Sequence, residues 1–61
     1  MNRFKIGQQV YIRELQRNGR VLGSFLDRQG YSYQVRYFDN AQARTEYFYP
    51  DELEPKQELK K

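Results

Sequence analysis

The sequence predicts a small all-β domain, on three observations. Short stretches with a two-residue apolar alternation follow one another along the chain. Turn-forming residues separate them at intervals of roughly 8–12 residues. The 61 residues include no Cys and no His, so neither disulfides nor ordinary zinc ligation can stabilise the fold. We therefore predict one five-stranded barrel over residues 1–55 and a charged, flexible tail over residues 56–61.

The stretch over residues 31–50 is predicted to form a β-hairpin and holds seven of the ten aromatic residues. In its first strand, Tyr33, Val35 and Tyr37 alternate with polar residues and are expected to face the core. Asp39-Asn40 supplies the turn, because short Asx side chains tolerate left-handed backbone. The second strand is predicted over Thr45–Tyr49, and the sequence leaves open which of its faces is buried.

Two strands are predicted before the hairpin. Val10–Arg13 alternates as the first strand. Glu14–Gly19 is predicted to be a loop, since Asn18-Gly19 is a strong turn signal. The second strand is predicted over Arg20–Asp27, and Gly23 in its middle indicates a β-bulge.

The alternation in the second strand assigns its apolar residues to two faces. Val21 and Phe25 are expected on one face, and Leu22 and Leu26 on the other. With the outward Phe38 and the outward face of the fourth strand (Phe48, or Tyr47 and Tyr49), Leu22 and Leu26 would then form an apolar patch of the kind that marks an interface. The alternative is that a small twisted barrel wraps some of these residues over its open ends.

The ends of the chain are expected to complete the core. Phe4 and Ile6 would close one end of the barrel. Pro50–Leu53 resembles one helical turn with proline at its start, after which Leu53 would point back into the core. Glu54-Pro55 is predicted to be a brief edge strand.

Net charge is +3 and unevenly distributed. Residues 1–44 carry eight Lys or Arg and three acids (+5), whereas residues 45–61 carry three Lys and five acids (−2). A basic region of this kind suggests a polyanionic partner. The first ten residues lack the apolar segment of a signal peptide, and no apolar run approaches the ~18 residues of a membrane span. We expect a cytoplasmic protein without a membrane partner.

The composition argues against catalysis. Without Cys and His, the usual pairs of nucleophile and base cannot form. The four glycines are dispersed rather than gathered in a phosphate-binding loop. The sequence therefore predicts no catalytic residue, no cofactor and no metal site.

Four landmarks occur in order along the chain: GQQV at 7–10, GRVLG at 19–23, YQVRYFD at 33–39 and DEL at 51–53. Together they resemble the pattern of Tudor-like domains, over most of residues 6–55. The resemblance implies a five-stranded SH3-like barrel with a short helical turn before the last strand. It also implies a non-enzymatic module that binds a peptide or nucleic acid.

The chain departs from the members of that family that read methylated side chains. Those members use an aromatic cage, because ring faces attract a methylated ammonium. Tyr37 matches one cage position. The other positions fall on or near Glu14, Leu15, Val21, Ala41 and Ala43.

A second resemblance gives the alternative function. Tyr49-Pro50 followed by Leu53-Glu54 is similar to the end of the small plasmid-type dihydrofolate reductases, which are self-associating SH3-like barrel enzymes. That family has a Gln-Ile pair before the tyrosine, where this chain has Tyr47 and Phe48. The groups that would bind cofactor and substrate are therefore missing.

The predicted binding surface combines arginines with aromatic rings. Arginine suits bidentate phosphate contacts and stacking on bases, and exposed rings supply stacking platforms. The competing interpretation is that each arginine pairs with a neighbouring acid. The partner is expected to be a protein or a nucleic acid, with a homo-oligomer also open. The candidate residues are Tyr11, Arg17, Arg20, Arg36, Tyr37, Phe38 and Arg44.

Overall fold

The computed structural model describes residues 4–56, and the remainder of the predicted tail lies outside the described residues. The strands are β1 Gln9–Ile12, β2 Arg17–Asp27, β3 Gly30–Asp39, β4 Gln42–Phe48 and β5 Leu53–Pro55, with a 3-10 turn at Pro50–Glu52. All five form one antiparallel sheet in the order β4-β3-β2-β1-β5. The predicted all-β class is confirmed. Within the described chain, the edge strands β4 and β5 do not pair with each other, so the sheet is open.

The core lies on one face of this sheet. The alternating inward residues of β1 and β3 are buried as predicted, and Leu53 is fully buried at the start of β5. The first buried residue is Phe4, whose ring meets Tyr33 edge-on at a centroid distance of 5.3 Å. The core consists of Phe4, Val10, Ile12, Val21, Tyr33, Val35, Tyr37, Phe48 and Leu53.

Ile6 does not close the core as predicted, since 70% of its surface is exposed. A tight turn is the reason: the amide of Gln8 donates to the carbonyl of Lys5, and Gly7 adopts a φ of 90°. The amide of Gly7 donates to the carbonyl of Val21, which holds this turn against β2 and leaves Ile6 at its tip.

The predicted loop over Glu14–Gly19 is wrong, because β2 begins at Arg17. Asn18 pairs with Tyr11 and Gly19 with Val10, and neither Asn18 nor Gly19 has a positive φ. The reversal occurs earlier, where Gln16 has a φ of 56°. Gly19 instead allows β2 to pack closely against Val35, since a Cβ at position 19 would lie 2.5 Å from Cγ1 of Val35.

The bulge predicted at Gly23 is confirmed, and it overturns the predicted faces of β2. Val21 pairs with Val35, but the next pair is Gly23 with Gln34, so Leu22 is the extra residue. Every later residue of β2 is thereby rotated to the opposite face. Phe25 consequently leaves the face of the core and is 46% exposed. Leu26 moves to the core side, opposite Tyr31. It is nevertheless 67% exposed, because it lies beyond the part of β2 that the core covers.

The hairpin turn falls at Asn40 and Ala41, which both adopt left-handed backbone with φ of 52° and 64°. β4 begins at Gln42, three residues before the predicted Thr45, because the two-residue turn lets pairing start at once. Phe48 is the buried residue of β4, so the alternate residues Tyr47 and Thr45 face away from the core.

Candidate binding surface

Two arginines meet on the outer face of the sheet, away from the core. Arg20 of β2 and Arg36 of β3 are directly opposite each other. Gln9 of β1 lies opposite Arg20, and Thr45 of β4 lies opposite Arg36. Residues directly opposite in an antiparallel pair point to the same side. The outer face therefore carries a row that crosses four strands, with the arginines at its centre.

An exposed aromatic ring lies beside this row. Phe38 is 59% exposed, and the guanidinium carbon of Arg36 is 5.4 Å from the centroid of its ring. The row and the ring border a shallow groove of about 160 Å³, which we call the arginine groove. Its lining residues are Gln9, Asn18, Gly19, Arg20, Arg36, Tyr37, Phe38 and Lys56.

The cations of the arginine groove have neutral partners. Nη1 of Arg20 donates to the carbonyl of Gly7 at 3.4 Å, and Nζ of Lys56 donates to Oε1 of Gln9 at 3.1 Å. Among residues 4–56, no carboxylate lies within ion-pair distance of these two cations or of Arg36. The groove therefore keeps its positive charge.

Three other arginines form ion pairs with acids. Arg13 forms an ion pair with Glu54 at 2.9 Å. Arg17 and Arg44 both contact Asp39, at 3.1 Å and 3.7 Å. For these three residues the structure supports the pairing interpretation, and it separates them from Arg20 and Arg36.

The candidate residues are thus only partly brought together. Arg20, Arg36 and Phe38 lie in the arginine groove, and Tyr11 follows in the next row of the outer face, opposite Asn18. Arg17 and Arg44 are opposite Ile12 and Tyr37, on the core side of the sheet. Tyr37 itself is only 8% exposed and packs edge-on against Phe48.

The burial of individual residues also bears on the two resemblances. Tyr37 and Val21, which would occupy cage positions of a methyl-lysine reader, both belong to the core. At the positions of the reductase pair, Phe48 is buried whereas Tyr47 is 61% exposed. Neither pair of positions presents two side chains to a common ligand.

The structure also shows a second exposed cluster, of aromatic residues, which the sequence did not predict. The rings of Phe25 and Tyr47 meet edge-on at 5.6 Å on the outer face, and Tyr49 borders the same cleft of about 470 Å³. The hydroxyl of Tyr49 donates to Oε1 of Gln29 at 2.8 Å.

The sequence did not predict two of these surface residues. Phe25 was missed because the bulge reverses its face, and Lys56 of the arginine groove was missed because it was assigned to the tail. A bulge-corrected alternation would have signalled Phe25.

No protein-family model, curated protein or solved structure matches this chain. Within residues 4–56, acidic side chains are not grouped in threes as metal ligands would be. The described part also contains no helix of the length and apolarity needed to cross a membrane.

Proposed function

We propose that the chain is a non-enzymatic binding module of the SH3-like, Tudor-like type, and that its arginine groove binds single-stranded nucleic acid. The observation that carries the proposal is the group of three cations without carboxylate partners beside an exposed ring, formed by Arg20, Arg36, Lys56 and Phe38.

The charge of the groove suits a phosphate backbone. Arg20 and Arg36 lie on neighbouring strands, so their Cα atoms are about 5 Å apart and their side chains extend from one surface. Two like charges placed this closely on opposite positions repel each other, which costs stability in the absence of an anion. Phosphate oxygens would relieve that repulsion, and guanidinium groups bind them in a bidentate manner.

The exposed ring favours a single strand over a duplex. A base of a single strand has an accessible face, which can stack on an aromatic ring with a gain of about 1–3 kcal/mol. Phe38 is exposed on the same surface as the arginines, so one nucleotide can stack on it while neighbouring phosphates contact Arg20 and Arg36. In a duplex the bases are already stacked, and the ring would gain no such contact.

The test is the affinity for a fluorescently labelled single-stranded oligonucleotide, followed by anisotropy over a series of salt concentrations. Three phosphate contacts predict a slope of about −2 for log K against log salt, since each contact on a single strand contributes about −0.7. The affinity should therefore fall about 20-fold between ~50 and ~200 mM salt. Arg36→Ala should reduce the slope by about 0.7.

Arg28→Ala is the matched control. It removes one positive charge, as Arg36→Ala does, but Arg28 lies in the exposed turn after β2, on the order of 25 Å from Arg20 along the strand. Equal effects of the two variants would refute the groove as the site. For the ring, Phe38→Ala should weaken binding about 5- to 150-fold, whereas Phe38→Tyr should retain it. Absence of binding at low salt would refute the proposed function.

A further inference from the structure

The edge of β4 is unpaired in the described chain, and of the usual protections against association it has only charged side chains, Arg44 and Glu46. β4 spans seven residues, Gln42–Phe48, contains no proline or lysine and pairs with β3 without a bulge. Proteins commonly protect exposed edges with such devices. The opposite edge differs: β5 has three residues and ends at Pro55. The free backbone groups of β4 are therefore available to another strand.

We propose that this edge pairs with β4 of a second copy of the chain, antiparallel and about a two-fold axis at Thr45. Symmetric oligomers of this kind use the same patch on both subunits. Pairing about Thr45 places Arg44 opposite the partner's Glu46, and Glu46 opposite the partner's Arg44. Moving the axis by one residue would place Arg44 opposite Arg44, or Glu46 opposite Glu46, which is unfavourable. Charge therefore selects one register.

Within the described chain, the present contacts leave Glu46 without a cation and Arg44 with only a long ion pair. In residues 4–56, Glu46 has no cation within ion-pair distance. Arg44 approaches Asp39 only at 3.7 Å, and that carboxylate is already held at 3.1 Å by Arg17. Two ion pairs between the copies would compensate Glu46 and use the remaining donors of Arg44.

The outer face offers a second complementary contact. The same register places the partner's Tyr47 opposite Ala43, a small residue that lies next to Phe38. Tyr47 is 61% exposed in the single chain. Packing over Ala43 would remove part of this ring from water, which is favourable for apolar surface.

Pairing at Thr45 would also join the arginine rows of the two copies. Thr45 lies opposite Arg36 in the row that includes Arg20. Across the axis, the two Arg36 Cα atoms would be about 14 Å apart, which is three strand spacings. One row with four arginines would then cross eight strands of a ten-stranded sheet. The dimer itself does not depend on nucleic-acid binding.

The test is the mass in solution, measured by sedimentation over a concentration series without nucleic acid. Wild-type chain should reach twice the mass of one chain. Glu46→Arg places like charges opposite each other at both symmetric positions and should weaken the dimer roughly tenfold. Glu14→Arg makes the same charge change in the exposed β1–β2 turn and should leave the dimer unchanged.

A mixture of two variants tests whether the charged residues of β4 meet across the edge. Arg44→Glu alone should weaken the dimer to a similar extent, but mixed with Glu46→Arg it should form a heterodimer in which both pairs are complementary. Circular dichroism of each variant checks that the sheet is retained. A wild-type chain that stays monomeric would overturn the proposal, as would equal effects of Glu46→Arg and Glu14→Arg. A mixture that fails to dimerise while both variants are folded would overturn it too, because the charges of β4 then do not meet across the edge.

Discussion

Replacing Gly19 with alanine is expected to destabilise the sheet, because β2 and β3 approach each other closely at this position. A Cβ at Gly19 would lie 2.5 Å from Cγ1 of Val35 and 2.9 Å from the carbonyl oxygen of Arg36. Carbon atoms in ordinary contact are separated by about 3.5–4.0 Å. Val35 is fully buried and the carbonyl belongs to the paired strand, so neither can move freely.

Overpacking of this kind costs about 1–3 kcal/mol. A domain of 61 residues has a free energy of unfolding of about 3–9 kcal/mol, so the loss is a large fraction of the total. Each kcal/mol lowers Tm by about 4–8 °C in a domain of this size. Thermal and urea unfolding, followed by circular dichroism, would measure the change.

Gly23→Ala is the matched control in the same strand. The nearest atom to its Cβ would be Cζ of Phe25 at 3.4 Å, an ordinary contact with an exposed side chain, so little loss is expected. A double-mutant cycle with Val35→Ala identifies the cause, because removal of Cγ1 should recover part of the loss at Gly19. Equal losses at Gly19 and Gly23, or additive effects in the cycle, would show that the close approach is not the cause.

Two further predictions concern the hairpin and the aromatic cluster. Ala41 has a φ of 64°, a conformation that costs an L-residue about 1–2 kcal/mol, so Ala41→Gly should raise the free energy of unfolding by about 1 kcal/mol; a lower urea midpoint would contradict the left-handed turn. The edge-on contact between Phe25 and Tyr47 should give a coupling of about 0.5–1.5 kcal/mol in a double-mutant cycle to alanine; no coupling would show that the bulge does not bring the rings together.

The predictions that came directly from periodicity were the most accurate. Alternation in β1 and β3 identified Val10, Ile12, Tyr33, Val35 and Tyr37 as buried, because a strand with one buried face must repeat every two residues. The 3-10 turn and the burial of Leu53 were also predicted, from proline at the start of the turn and an apolar residue at its end.

The candidate site was predicted only in part, since it depends on which strands are neighbours. The arginines are equivalent in the sequence, yet three of them have carboxylate partners in the structure whereas Arg20 and Arg36 do not. Pairing of Arg17 and Arg44 with Asp39 requires residues from β2, β3 and β4 to meet. A pattern of neighbouring residues in the sequence does not indicate such a contact between strands.

The sequence by itself determined the all-β class, the approximate positions of the strands and the inward face of β1 and β3, because these follow from local propensity and two-residue periodicity. Tertiary structure alone decided where β2 begins, on which face of the sheet Phe25 lies, and which cations lack a carboxylate partner. The physical reason is that register and ion pairing arise between strands: a close approach at Gly19 or one extra residue at Leu22 takes effect only when the neighbouring strand is in place.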